Sequence, residues 1–178
     1  MRATTNFHAD LARSQRPEVD AVIRLAIKAQ FPEVLAIHAA HTENDKIGVD
    51  YWLEFENGAM EALDVKVREK DYAIRGDDRT ACLELVANTG SGKAGWTVDT
   101  AKRTNWIMFF YVETRKAFTY QARELRSAVI AGLDGLKKTG KPGHTRTGGY
   151  LSEYLFVSHR ELGAAIYRNG SKALVVAG

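Results

Sequence analysis

The clearest hydrophobic pattern along the chain is helical. In "PEVDAVIRLAIKAQ", residues 17–30, the side chains Val19, Val22, Ile23, Ala26 and Ile27 fall on one stripe. Proline suits the first turn of such a helix, and Pro32 closes it. A shorter helix is expected before it, from about Phe7 to Ser14. The period then falls to two: "GVDYWLEF" and "AMEALDVKVRE" alternate, and the "ENG" between them is a hairpin signal. "ACLELVA" reads as a third strand, "GWTVDTAKR" as a short helix, and the apolar run "NWIMFFYVE" as a central strand covered on both faces. "KAFTYQA" is a further strand after a turn in "ETRKA". "ARELRSAVIAGLDGL" is a second amphipathic helix, with Leu125, Val129, Leu133 and Leu136 on one side. A basic loop, Lys137 to Gly149, precedes a last strand in "YLSEYLFVS" and a helical turn in "HRELGAA". The fold class is therefore α+β, a run of mostly antiparallel strands covered by helices.

The hairpin register decides which side chains meet. A two-residue Asn57-Gly58 loop would oppose Asp50 and Val65. A three-residue Glu56-Asn57-Gly58 loop, with Gly58 left-handed in a bulge, opposes Asp50 and Asp64. Only the second puts Tyr51, Leu53 and Phe55 on one face with Ala59, Leu63, Val65 and Val67. A slip of one residue would bury charge on that face. The three-residue loop is preferred, and the opposite face then carries Asp50, Asp64 and Lys66 together.

Two carboxylates about 5 Å apart on neighbouring strands repel unless a cation lies between them. Hard oxygen donors of this kind suit Mg²⁺ or Mn²⁺, which accept phosphate oxygens as further ligands. Lys66, two positions after Asp64, can orient a water or offset charge on a phosphate.

Asp50 followed by Asp64-Val65-Lys66 on a hairpin resembles the signature of the PD-(D/E)XK nuclease superfamily. The preceding helix fits its restriction-endonuclease-like core, a central mixed sheet flanked by helices. "LELVAN", "GKAGW" and "AKRTNWIMFFYV" resemble the strand, loop, helix and strand that follow. The likeness covers about residues 18 to 130 of what reads as a single domain, 1–178, with a C-terminal extension bearing the basic loop 137–149. Val49 stands where many members have proline. The resemblance implies metal ligands at Asp50, Asp64 and the backbone carbonyl of Val65, with Lys66 the catalytic lysine. It also suggests an acidic ligand on the first helix, Glu18 or else Asp20, and a possible one at Glu84.

Composition changes this picture little. One domain suffices for 178 residues, and 45% hydrophobic with 26% charged residues are ordinary globular values. No apolar run reaches the eighteen or so residues that span a membrane, and "MRATTNFHADLARSQ" lacks the apolar stretch of a signal peptide. A single cysteine, Cys82, excludes an internal disulfide and suits a reducing compartment, so a cytoplasmic location is expected. Charge matters more. Residues 1–90 hold 11 Lys/Arg against 16 Asp/Glu, net −5, whereas residues 91–178 hold 14 against 6, net +8. Carboxylates in one half and cations in the other suit a metal-dependent enzyme acting on a polyanion.

"LELVANTGSGKAGW" is not a nucleotide-binding P-loop, because Ala87 and Ala94 replace the first glycine and the final hydroxyl residue. Lys93, with Lys102 and Arg103, is instead placed beside a phosphodiester backbone. Lys137, Lys138, Lys141 and Arg146 on the basic loop would add salt-sensitive phosphate contacts. Trp96 is read as core packing. The five histidines, His8, His38, His41, His144 and His159, lack metal-binding spacing, with His38 and His41 near a helix end or loop.

The expected function is that of a metal-dependent endodeoxyribonuclease of resolvase, restriction or repair type. It would act on double-stranded or branched DNA as a homodimer. The alternative is a non-catalytic nucleic-acid- or protein-binding protein on the same fold, which the intact Asp50–Asp64–Lys66 set argues against. Nothing in the spacing of Glu54, Glu56 and Glu61 recommends an unrelated enzyme built on them.

Overall fold

A computed structural model describes residues 16–40, 47–147, 149–170 and 176–177. The expected helix at Phe7 to Ser14 lies outside these. The chain order is α1 (Pro17–Gln30), β1 (Val34–Ala39), β2 (Tyr51–Phe55), β3 (Met60–Arg68), β4 (Ala81–Asn88), β5 (Lys93–Ala94), β6 (Trp106–Tyr111) and β7 (Lys116–Gln121). It continues with α2 (Ala122–Thr139), β8 (Lys141–Thr147), β9 (Tyr150–Val157), α3 (His159–Arg168) and β10 (Val176–Ala177). Two sheets result, one in the order β1-β2-β3-β6-β7-β10 and one in the order β5-β4-β9-β8. β3 and β6 pair in parallel; the other pairings are antiparallel. The architecture is α+β. No helix among the described residues is long and apolar enough to cross a membrane.

The larger sheet is coated on both sides. Val19, Ile23 and Ile27 of α1 bury their stripe against Tyr51, Leu53 and Leu63, together with Met108 and Phe110 of β6. The other face carries Ile107, Phe109 and Tyr111, packed against Leu125 and Val129 of α2, Leu162 of α3 and Leu83 and Leu155 of the smaller sheet. Every β6 residue from Ile107 to Tyr111 is therefore buried, as its unbroken apolar run requires. His159 fastens α3 to this second face. Its Nε2 lies 2.6 Å from the Tyr111 hydroxyl, its Nδ1 2.7 Å from the Tyr120 hydroxyl, and its ring stacks on Phe118. Burial pushes its pKa down to about 3, so one ring nitrogen donates and the other accepts.

The hairpin has the three-residue loop. Tyr51 opposes Leu63, Trp52 opposes Ala62, Leu53 opposes Glu61 and Glu54 opposes Met60. The Phe55 N–H donates to the Ala59 carbonyl at 2.9 Å, and Gly58 is left-handed at φ +79°. Phe55, Val65 and Val67 pack toward α1 with the other odd positions, which leaves the even positions of β3 on the face of α2.

Five elements differ from the sequence expectation. "VLAIHA" forms edge strand β1 on β2, so His38 lies in a strand, 2.9 Å from Glu54. β4 leaves the main sheet and pairs with β9, because its mate lies some seventy residues downstream and has no local sequence signal. "GWTVDTAKR" is a series of turns rather than a helix: the Asp99 side chain accepts the Ala101 N–H, a local bond that competes with the helical ladder. The basic segment is no loop, since α2 runs to Thr139 and Lys141–Thr147 pairs with β9. Pro142 is tolerated there because β8 is an edge strand. α3 is also a full helix, opened by a capping box between Ser158 and Glu161.

Gly95 sets the approach of the turns to β4. A Cβ there would lie 2.1 Å from the Glu84 carbonyl oxygen, whereas one at Gly58 would meet nothing within 4 Å. In urea denaturation, Gly58→Ala is expected to cost about 1 kcal/mol, the conformational penalty alone. Gly95→Ala is expected to cost about 3 kcal/mol because backbone must move. Equal costs would contradict this packing.

Candidate active site

Asp50 sits one residue before β2. Its N–H donates to the Leu63 carbonyl at 2.9 Å, and its carbonyl accepts from Ala40 at 2.8 Å, which locks it to β3 on one side and to the end of β1 on the other. Its carboxylate Oδ2 accepts the Val65 N–H at 2.7 Å. Asp64 occupies the middle of β3 and is 3% exposed. Lys66 follows on the same face, with Nζ 2.7 Å from Asp64 Oδ1. The three residues singled out from the hairpin pattern therefore converge.

The electrostatics of the trio follow from burial. Asp50 has its pKa pushed up to about 7, first by desolvation and then by the charge of Asp64, with Lys66 and the Val65 N–H acting in the opposite sense. The nearness of Asp64 thus adds to the rise that burial begins. Desolvation acts to lower Lys66, but the charges of Asp64 and Asp50 outweigh it, and the ammonium is held above its ordinary value. Lys66 is thus a fixed cation, suited to stabilising charge and unsuited to accepting a proton at neutral pH.

The surroundings come from the turns between β5 and β6 and from α2. The Lys66 ammonium lies 4.8 Å from the centre of the Trp96 ring, a cation–π contact. Trp96 also packs against the core, as its sequence context suggested. The Lys102 stem and Asp64 Oδ2 both border the space beside Gly48. Arg126 of α2 donates from Nε to the Trp96 carbonyl at 3.4 Å and lies within electrostatic reach of Asp64. Glu84 of β4 is half-buried. It accepts the Trp96 N–H at 3.2 Å and acts electrostatically on Lys66.

Other sequence candidates are not brought here. Glu18 lies on α1, across the sheet from the carboxylates, 68% exposed and 3.7 Å from Arg16. Asp20 is committed to the Tyr51 hydroxyl and to Arg24, both at 2.7 Å. Neither acidic residue of α1 can share a cation with Asp64, because the sheet separates them. The Lys93, Lys137, Lys138, Lys141 and Arg146 side chains are exposed on β5, the end of α2 and β8, and none has a described contact with the trio. Arg103 is exposed, and its backbone N–H donates to the Ile47 carbonyl at 3.2 Å.

Two carboxylates, one of them with its pKa raised by burial and by the charge of the other, form a donor set that fits a hard divalent cation. Asp50, Asp64 and the Val65 carbonyl are the groups that would hold it. Among the described residues no group of three or more His, Cys, Asp or Glu is arranged around a common metal position. Any such ion would therefore rest on two acidic side chains, with oxygens from backbone, water or substrate completing its shell.

No family model, curated protein or solved structure matches the chain. The roles above rest on geometry, and that geometry has a pH signature. Asp50 binds its proton more tightly folded than unfolded, so folding takes up protons between the ordinary carboxylate pKa and about 7. Its contribution to the stability of the metal-free protein is expected to be full below pH 4 and to be lost as pH rises toward 7. Urea denaturation across that range checks it. The Asp50→Asn variant should lose this component; an unchanged profile would place Asp50 in water.

Proposed function

We propose that the chain is a divalent-metal-dependent endodeoxyribonuclease with a PD-(D/E)XK-type site on a restriction-endonuclease-like core. One observation carries the reading: Asp50 and Asp64 converge on one face of the β2–β3 hairpin with the Lys66 ammonium on Asp64. The main sheet supports it, with α1 packed on one face and α2 and the smaller sheet on the other. The basic second half supports a polyanionic substrate.

Magnesium or manganese would supply Lewis-acid polarisation of the phosphate and a more acidic water. The protein's part is to hold and to neutralise. Asp50, freed of its proton, and Asp64 present oxygen donors. The Val65 N–H fixes the Asp50 carboxylate and limits its rotation. Lys66 stands beside them as a permanent cation, placed to offset charge that gathers on the phosphate oxygens as water attacks. The water oxygen bonds to phosphorus, the bond from phosphorus to the 3′-oxygen breaks, and that oxygen takes up a proton. A 5′-phosphate and a 3′-hydroxyl result. Lys102, whose stem borders the same space as Asp64, supplies further positive charge where the backbone would enter.

Supercoiled plasmid and branched DNA incubated with Mg²⁺, Mn²⁺ or EDTA provide the test. Metal-dependent nicking is expected, abolished in Asp64→Ala and lowered by about a hundredfold or more in Lys66→Ala. Cutting that survives Asp64→Ala, or no cutting with either metal, would contradict the reading.

A further inference from the structure

Arg126 is a cation that the amphipathic pattern of α2 does not announce. It is 7% exposed, and its Nη2 is buried with no hydrogen-bond partner among the described residues. Its Nε makes only the 3.4 Å bond to the Trp96 carbonyl. A buried guanidinium N–H without an acceptor costs about 1–3 kcal/mol, so its presence here calls for an explanation. One residue beyond Trp96, the Thr97 hydroxyl is likewise buried and unpartnered. Trp96 touches both Arg126, through its carbonyl, and Lys66, through its ring. Arg126 thus belongs to the same cluster as Lys66 and Asp64, with a donor in hand.

We propose that Arg126 Nη2 takes a non-bridging phosphate oxygen of the nucleic-acid backbone, forming with Lys66 a phosphate subsite beside Asp50 and Asp64. The assignment rests on the nuclease reading for its ligand. The chemistry fits: guanidinium donors match phosphate oxygens in geometry, and the Lys66 ammonium and the Arg126 guanidinium both contact Trp96. A water-filled or purely structural role leaves the subsite without a phosphate, and the test separates the two. Because Nη2 is shielded from solvent, the oxygen arrives with a local shift of side chains, of which half-buried Trp96 is the nearest.

The test uses a 20-base-pair duplex in EDTA, with affinity measured against salt. Loss of one phosphate contact lowers the slope of log K against log salt by about 0.9. Arg126→Gln is expected to show that loss with about tenfold weaker binding, while calorimetric Mn²⁺ binding persists and reports an intact fold. Arg126→Lys keeps the charge and is expected to keep the slope. In wild-type protein the ¹⁵N-labelled Arg126 Nε–H resonance, identified by its absence from Arg126→Lys, is expected to move when duplex is added, whatever the stability of Arg126→Gln. An unmoved resonance with duplex bound, or an unchanged slope in a folded Arg126→Gln, would overturn the assignment while metal-dependent cutting still stood. A moved resonance without metal-dependent cutting would sustain the subsite and sink the nuclease reading. Wild-type protein that binds no duplex sinks both.

Discussion

Like charges forced together are the constraint around which this molecule is arranged. Asp50 and Asp64 meet because the hairpin closes through left-handed Gly58 in the register that ends at Tyr51 and Leu63, beyond which the Asp50 N–H returns to the Leu63 carbonyl and its carboxylate to the Val65 N–H. The same register places Leu53, Leu63 and Val65 against α1. Moving the carboxylates apart by one residue would bury charge in that core and expose its apolar side, a change that costs far more than the repulsion it would relieve. The hydrophobic pattern thus holds an unfavourable pair in place. Such a pair is stable only with a proton, a lysine or a metal ion between its members, and Asp50 shows the first two at work.

Around this pair the chain collects cations from distant parts of its sequence. Lys66 arrives on the same strand, Lys102 on the turns before β6, and Arg126 on α2. Trp96 joins two of them, and Gly95 lets its segment approach the Glu84 backbone closely enough to set the indole over Lys66. A carboxylate pair inside a rim of fixed positive charge has opposite preferences for its two ligands. On the proposed reading the acids would select a divalent cation, and the rim an anion that the same cation can bridge. That combination is what a phosphodiester-cleaving site requires.

The parts of this design that were legible in the sequence are those encoded locally. Alternation in residues 48–69 and one glycine sufficed to set the register, because each apolar position votes on the same face. β6 was legible from its unbroken apolar run, and α1 from its stripe. β1 was missed because a six-residue edge strand with an exposed Leu35 and His38 carries little pattern. α3 was expected only as a helical turn, although the Ser158-to-Glu161 spacing is that of a capping box. The pairing of β4 with β9 and the burial of Arg126 depend on contacts between segments far apart in the chain, and an arginine on an amphipathic helix looks like surface until its neighbours are known. Glu18 failed for a related reason: its helix packs where expected, but on the face away from the acids.

The central claim is that Asp50 and Asp64 together hold one divalent ion, and anomalous diffraction tests it most directly. A crystal grown with Mn²⁺ and measured at the manganese edge should show a single strong peak within about 2.3 Å of a carboxylate oxygen from each residue. The Asp50 proton should be gone and the Val65 carbonyl turned toward the ion. A peak elsewhere on the protein, or none at a millimolar excess of metal, would contradict the account.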